Sequence, residues 1–246
     1  MSLLEVQGLT KVYAGLTAVS AVDFTVQRGS ITALIGPNGA GKTTCFNLIA
    51  GATRCTAGRV TFDGQDITGL TPEQACERGI ARTFQIVRPL TGMSVLENVV
   101  VGALLREHSV AAAERQAMAV LERIGLGAKA HASASALALP ERKLLELAKA
   151  LATRPRLLML DEVMAGLRPT EADGIAQVLR DLNADGLTIL LIEHVMRVVM
   201  AVAQTIVVLH HGEKIAEGEP GRIVNDPKVI ECYFGAGVPA TMEAAP

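Results

Sequence analysis

The 246-residue chain has no tryptophan, two tyrosines and five phenylalanines. Aromatics make up 3% of it against 50% for hydrophobic residues of all kinds, so its core must be aliphatic. Cysteine is scarce. Cys45, Cys55, Cys76 and Cys232 form no CxxC pair, which argues against a disulfide framework or zinc site and for a reducing compartment. Neither sign of charge prevails: 23 basic and 25 acidic residues leave a net charge of −2, with no surplus to attract nucleic acid. Apolar runs are short. The longest candidates are 188–192 and 195–209, and Arg197 and Gln204 interrupt the second, so no membrane-spanning helix is expected. Met1, Ser2, Leu3, Leu4 and Glu5 lack the charged stretch and cleavage site of a signal peptide, and none is expected. Mean hydropathy is nevertheless +0.34. That calls for a large core or for apolar surface covered by a partner.

What the chain does contain is Gly36, Pro37, Asn38, Gly39, Ala40, Gly41, Lys42 and Thr43, which fit the phosphate-loop pattern GxxxxGK[ST] without a mismatch. The context fits as well. Residues 31–35 are a run suited to a buried strand, and 44–50 suit a helix. In such a loop, glycines let backbone N–H groups close around phosphate oxygens at a helix N-terminus. Gly36, Asn38, Gly39, Ala40, Gly41, Lys42, Thr43 and Thr44 are therefore the expected nucleotide-binding residues. Lys42 would reach the β- and γ-phosphates and the Thr43 hydroxyl would bind Mg²⁺.

Three blocks follow from the local patterns. Up to about Gln85, strands are expected at 3–6, 22–26 and 59–62, punctuated by Gly8, Arg28-Gly29 and the hairpin turn Asp63-Gly64. From about 94 to 152 the pattern is helical. Ser94 and Glu97 form a capping box before a helix over 95–105, and further helices are expected over 111–124 and 141–152. The last block returns to alternating strands (157–160, 188–192, 205–209 and 214–216) and helices (170–182 and 195–203), with a disordered tail beyond. Residues 157–160 are apolar and run into Asp161 and Glu162. Carboxylates at the C-terminal end of a buried parallel strand sit where ligands bind in open α/β sheets. Asp161 is placed to hold Mg²⁺ and Glu162 to direct an attacking water.

The order of these motifs resembles that of ATP-binding-cassette (ABC) transporter ATPases over nearly the whole chain. The resemblance implies an α/β phosphate-loop NTPase core with an antiparallel β subdomain and a helical insertion subdomain. It implies a single domain over 1–235, with core segments 1–90 and 153–235, helices over about 91–152 and a disordered tail at 236–246. Tyr13 occupies the family's adenine-stacking position. Gln85, in Arg-Thr-Phe-Gln, matches the glutamine that touches Mg²⁺ or water and joins the core to the insertion. His194, closing Ile-Leu-Leu-Ile-Glu-His, matches the histidine that contacts the γ-phosphate. The catalytic set implied is Lys42, Gln85, Glu162 and His194. The metal set is Thr43, Gln85 and Asp161, with ATP and Mg²⁺ as cofactors. Segments 62–70, 82–88, 161–167, 192–196, 215–220 and 226–231 are similar to those of branched-chain amino acid importers. That similarity implies a second ATPase subunit, two membrane permease subunits and an extracytoplasmic binding protein, with this chain on the cytoplasmic face of the membrane.

The chain departs from the family at the signature loop LSGGQ, which in these dimers meets the nucleotide of the partner. Here the segment is Leu137-Ala-Leu-Pro-Glu141. Ala138 lacks the hydroxyl, Pro140 has no N–H, and Glu141 brings negative charge toward an anion. Lost hydrogen bonds to a charged group cost about 1.5–3 kcal/mol each. Helix N-terminal amides following Pro140 are the expected compensation. An asymmetric pair is therefore expected, with this chain's own ATP site the active one. Arg168 stands where the family usually has Asp or Asn. The His210-His211 pair reads as an exposed turn rather than a metal site. Two other classes remain open at this stage: a soluble ABC ATPase of DNA repair or translation, and a non-hydrolysing regulatory cassette.

Overall fold

The computed structural model describes residues 1–83 and 89–234. The chain opens with antiparallel strands β1 (Ser2–Tyr13) and β2 (Leu16–Gln27), joined through Ala14 and Gly15. Both turn residues have positive φ, the hand that matches the twist of paired strands. Strand β3 (Ile31–Ile35) leads into helix α1 (Lys42–Ile49). Strands β4 (Ala57–Phe62) and β5 (Gln65–Asp66) flank the expected Asp63-Gly64 turn, across which Phe62 pairs with Gln65. Next come α2 (Pro72–Glu77), β6 (Ile80–Arg82), α3 (Val95–Ala103), α4 (Val110–Arg123) and α5 (Leu139–Ala152). The chain continues through β7 (Leu157–Asp161), α6 (Pro169–Ala184), β8 (Thr188–Ile192), α7 (Met196–Val202), β9 (Thr205–His210), β10 (Glu213–Gly218), α8 (Pro220–Ile223) and α9 (Pro227–Phe234).

Two sheets result. The smaller is antiparallel, in the order β2-β1-β4-β5. The larger runs β10-β9-β3-β8-β7-β6, parallel except for β10. The apolar strand runs have a direct cause, since each central strand is buried on both faces. Leu158, Leu160, Ile189, Leu191, Ile206 and Val208 face α6, α7 and the helices of the middle block. Their alternates Leu157, Met159, Leu190, Ile192, Val207 and Leu209 face α1 and the antiparallel sheet. Phe46 of α1 lies fully buried between the two sheets. Helices α3, α4 and α5 pack on one another through Val95, Val99, Ala103, Ala113, Ala117, Leu121, Leu145 and Ala148. Ser94 and Glu97 make the expected reciprocal cap on α3. Among the described residues no helix is long and apolar enough to cross a membrane.

The differences from expectation have local causes. Gly8 does not end a strand. It adopts φ 55° at a register shift, and β1 bends through it to twelve residues. Ala21, also at positive φ, lies in a continuous β2. Helix α5 starts at Leu139, two residues before the expected Glu141, so Pro140 is its second residue rather than its first. Strand β6 and helices α2, α8 and α9 were not expected. Strand β6 and helices α2 and α8 are too short to carry a periodic pattern, whereas α9, as long as α1, was simply not read. Gln85 and the tail from Gly235 onward lie outside the described residues.

Candidate nucleotide site

Three neighbouring strands of the parallel sheet, β3, β8 and β7, end side by side, and each hands a functional group to the same edge. From β3 the chain enters the glycine loop. Gly36 has φ 148°, and a β-carbon there would lie 2.1 Å from the Leu209 carbonyl oxygen. Gly41 has φ 99° and would meet the Ala18 carbonyl at 2.5 Å. Glycine is thus required at both positions by conformation and by space. Gly41 also caps α1 without a side chain, and no acidic residue occupies the first turn of the helix. Its leading N–H groups are left for an anion. A cavity of about 210 Å³ opens there, lined by residues 38–44, Ala18 and Glu162.

Lys42 is buried beneath this cavity. Its Nζ donates to the carbonyls of Gly36 (2.7 Å) and Pro37 (3.0 Å), which leaves one of three donors for a phosphate oxygen. Burial holds its pKa below the usual lysine value, and the nearby Glu162 and Asp161 carboxylates oppose that shift.

Asp161 closes β7 and is 2% exposed. Its Oδ2 accepts from an Arg82 guanidinium N–H at 2.9 Å, and its backbone N–H donates to Thr83 Oγ1 at 3.4 Å. Its Oδ1 is buried and has no protein partner among the described residues. Thr43 and Asp161 line one cleft of about 750 Å³, which Val101 and Gly102 of α3 and Lys149 of α5 also line. A hydroxyl and an orphaned carboxylate oxygen beside a phosphate cradle are donors of the kind Mg²⁺ takes when phosphates and waters complete its shell.

Glu162 follows with φ 49°, a left-handed conformation unusual for a side chain of its size. Its N–H donates to the Ile192 carbonyl of β8 at 3.0 Å, which turns the carboxylate toward the phosphate loop. Beyond β8 stands His194, 56% exposed, with Nδ1 3.9 Å from Glu162 Oε1. The structure therefore brings Lys42, Thr43, Thr44, Asp161, Glu162 and His194 to one edge. Tyr13 lies at the outer end of β1, across the hairpin from Leu16. Its ring is 43% exposed with Lys11 Nζ 4.7 Å from the centroid. Ala18 of the same hairpin roofs Gly41.

Sequence reasoning missed three charged residues here. Arg82 bridges Asp161 to Asn47 of α1 (2.6 Å) and lies over the Phe46 ring. Glu193 is 1% exposed and accepts the Met164 N–H at 3.0 Å. Lys143 is 4% exposed and donates to the Glu162 carbonyl at 3.3 Å. A signal existed for Lys143, which lies four residues before the buried Leu147 and so falls on the apolar stripe of α5.

At the altered signature segment, the Glu141 carboxylate turns back on its own helix. It accepts the Ala138 N–H at 3.0 Å and pairs with Lys129. That pairing holds its pKa below the usual carboxylate value. The extra negative charge expected to face a partner's nucleotide is thus balanced within the subunit. Arg168 precedes α6, where it pairs with Glu171 and points largely into solvent. His210 closes β9 and His211 turns at φ 49°, and no cluster of three metal-ligating side chains exists among the described residues.

Comparison with known proteins shows the family and the fold. Residues 19–165 match the ABC transporter family, and residues 213–239 match the branched-chain amino acid ATP-binding cassette transporter family. The chain is 39% identical to the high-affinity branched-chain amino acid transport ATP-binding protein BraF of Pseudomonas aeruginosa, and 40% identical to LivG of Escherichia coli K12. Each match covers 95% of this chain and 98% of the relative. A nucleotide-free ATP-binding cassette from an ABC transporter superposes with a TM-score of 0.88 at 33% identity, covering 96% of this chain and all of the other. An ABC transporter cassette in its ADP conformation gives 0.88 at 34% identity, covering 96% and 99%.

Proposed function

From the premise that this chain belongs to the ABC transporter family of ATP-binding subunits, we propose that it hydrolyses ATP to drive an importer of branched-chain amino acids or related small amino acids and amides. The observation that carries the reading is the meeting of Glu162 and His194 at the mouth of the phosphate loop, 3.9 Å apart. The names of its relatives point to the substrate class. Residues 1–90 and 153–235 act as the nucleotide-binding core, and the helices of 91–152 as a subdomain.

The adenine stacks on Tyr13. Loop amides of Gly36 and of residues 38–44, with Asn38, Gly39, Ala40 and Gly41 at the centre, hold the phosphates, and Lys42 reaches the β- and γ-groups. Thr43 and Asp161, with Gln85, would hold Mg²⁺, which would neutralise charge on the phosphates. Glu162 orients the attacking water, and His194 donates toward the γ-phosphate as charge builds on it. Catalysis is by positioning and electrostatics, because phosphoryl transfer asks little covalent chemistry of the protein. The chain works with a second ATPase subunit and sits on the cytoplasmic face of the membrane against permease subunits, supplied with solute by an extracytoplasmic binding protein. The exposed apolar side chains Leu90, Met93, Val101, Leu104 and Leu105 provide the surface for the permeases.

Glu162→Gln tests the chemistry. It keeps the shape and removes the charge that orients water, so kcat for phosphate release should fall by about 10²–10⁴-fold, while ATP binding persists. Undiminished turnover would refute the role of Glu162. Loss of labelled-leucine uptake in cells carrying Lys42→Ala checks the transport reading, and unchanged uptake of leucine and of related amino acids and amides would refute it.

A further inference from the structure

We infer that Lys143 is a positioning residue for Glu162, through which the segment this subunit presents to its partner is coupled to its own water-directing carboxylate. The inference rests on the ATPase reading above. Among the described residues, three hydrogen bonds tie the turn after β7 to other elements. The Glu162 N–H donates to Ile192 of β8 at 3.0 Å, the Glu162 carbonyl accepts from Lys143 Nζ of α5 at 3.3 Å, and the Met164 N–H donates to Glu193 Oε1 at 3.0 Å. The Glu162 carbonyl also accepts from the Ala165 N–H at 3.1 Å, which closes the turn on itself. Glu162 sits at φ 49°, a conformation that persists in a residue with a β-carbon only where its surroundings hold it. Two of the three external holds come from side chains that are costly to bury, since Lys143 is 4% and Glu193 1% exposed. An aliphatic residue would serve packing better at position 143. The ammonium is accommodated because Glu193, Glu162 and Asp161 lie around it.

The location gives the bond its consequence. Lys143 is four residues from Leu139, the first residue of α5, and so shares its helix face one turn along. The segment 137–141 is the part offered to a partner's nucleotide. A shift or rotation of α5 when that segment is engaged therefore displaces the Lys143 ammonium, and with it the carbonyl of Glu162. The two nucleotide sites of a pair would be linked through one helical turn and one hydrogen bond, besides any contacts across the interface.

Lys143→Met keeps the length and apolar stem and removes the donor, and Lys143→Arg restores a cation. The measurement is amide hydrogen exchange of the full chain, with mantATP as the nucleotide probe. Lys143→Met should raise exchange in 162–167 at least tenfold while that in 36–44 and the mantATP affinity stay within twofold, and Lys143→Arg should recover most of the protection. In the assembled transporter, kcat should fall about tenfold with KM unchanged. Unchanged exchange in 162–167, failure of arginine to restore it, or a rise spread over the whole chain would overturn the inference. A wild-type chain that binds no mantATP would instead refute the ATPase reading, with the exchange comparison still deciding the role of Lys143.

Discussion

Gly36 and Glu193 show two ways in which one residue governs this site. Gly36 acts by having no side chain where the Leu209 carbonyl passes. Glu193 acts by a carboxylate almost wholly removed from water, one of whose oxygens, Oε2, has no hydrogen-bond partner among the described residues. Burial raises its pKa above 4.5, against the lowering effects of the Met164 N–H and His194. Because the folded value lies above the unfolded one, stability from this group is full below about pH 4.5 and is lost as pH rises through the folded pKa. Glu193→Gln preserves the acceptor for Met164 and removes the charge. Its unfolding free energy in urea should gain on wild type between pH 4 and pH 8, and a flat difference would contradict the burial argument. Lys42, Thr43, Asp161 and Glu162 could be picked out as candidates because their neighbours spell a pattern along the sequence, and His194 through the family resemblance. Arg82 and Glu193 were not legible because their partners are distant in sequence, and Lys143 showed only its place on the apolar stripe of α5, not its partner. A charge within a strand or helix looks solvent-facing until the fold shows what lies opposite.

Among the elements, α5 begins in the segment whose residues differ from the LSGGQ signature. Its start keeps the amides of a helix N-terminus but has no N–H at Pro140, and the Glu141 carboxylate is occupied with Ala138 and Lys129. In the proposed pair, fewer donors would then remain for the partner's γ-phosphate. In a reconstituted pair, Glu162→Gln in this chain should remove most ATP turnover, and the matching change in the partner should remove less. Equal losses in phosphate release would refute the asymmetry. Long elements were legible in type, because α4, α5 and α6 each run fourteen residues or more with an apolar stripe. Their ends shifted by one or two residues, set by caps whose partners lie a turn away. Strand β6, three residues long, had no room for a pattern. It could be found only from its pairing with β7, which is a tertiary fact.

For the whole molecule, the high hydropathy that composition left unexplained divides between two causes. Most of it is the double core on either face of the parallel sheet. The remainder includes exposed Val101, Leu104 and Leu105 near the end of α3, beside the cleft that reaches back to Thr43 and Asp161. Val101→Asp with Leu104→Asp should abolish co-purification with the permease subunits and leave mantATP binding within twofold, and retained co-purification would exclude this face as the docking surface. The class of the fold was readable from alternating strands and helices. The arrangement of its sheet was not, because β3 lies between β8 and β9, which follow it by more than 150 residues in the chain. That separation also bears on how the protein is made. A ribosome adding about 5–20 residues each second needs roughly 9–35 s to proceed from the phosphate-loop strand to its last neighbour. Until β8 is made, the largely apolar Ile31–Ile35 has neither of its sheet neighbours to pair with. The phosphate loop that follows this strand therefore gains the sheet that positions it only after β8 and β9 have been made.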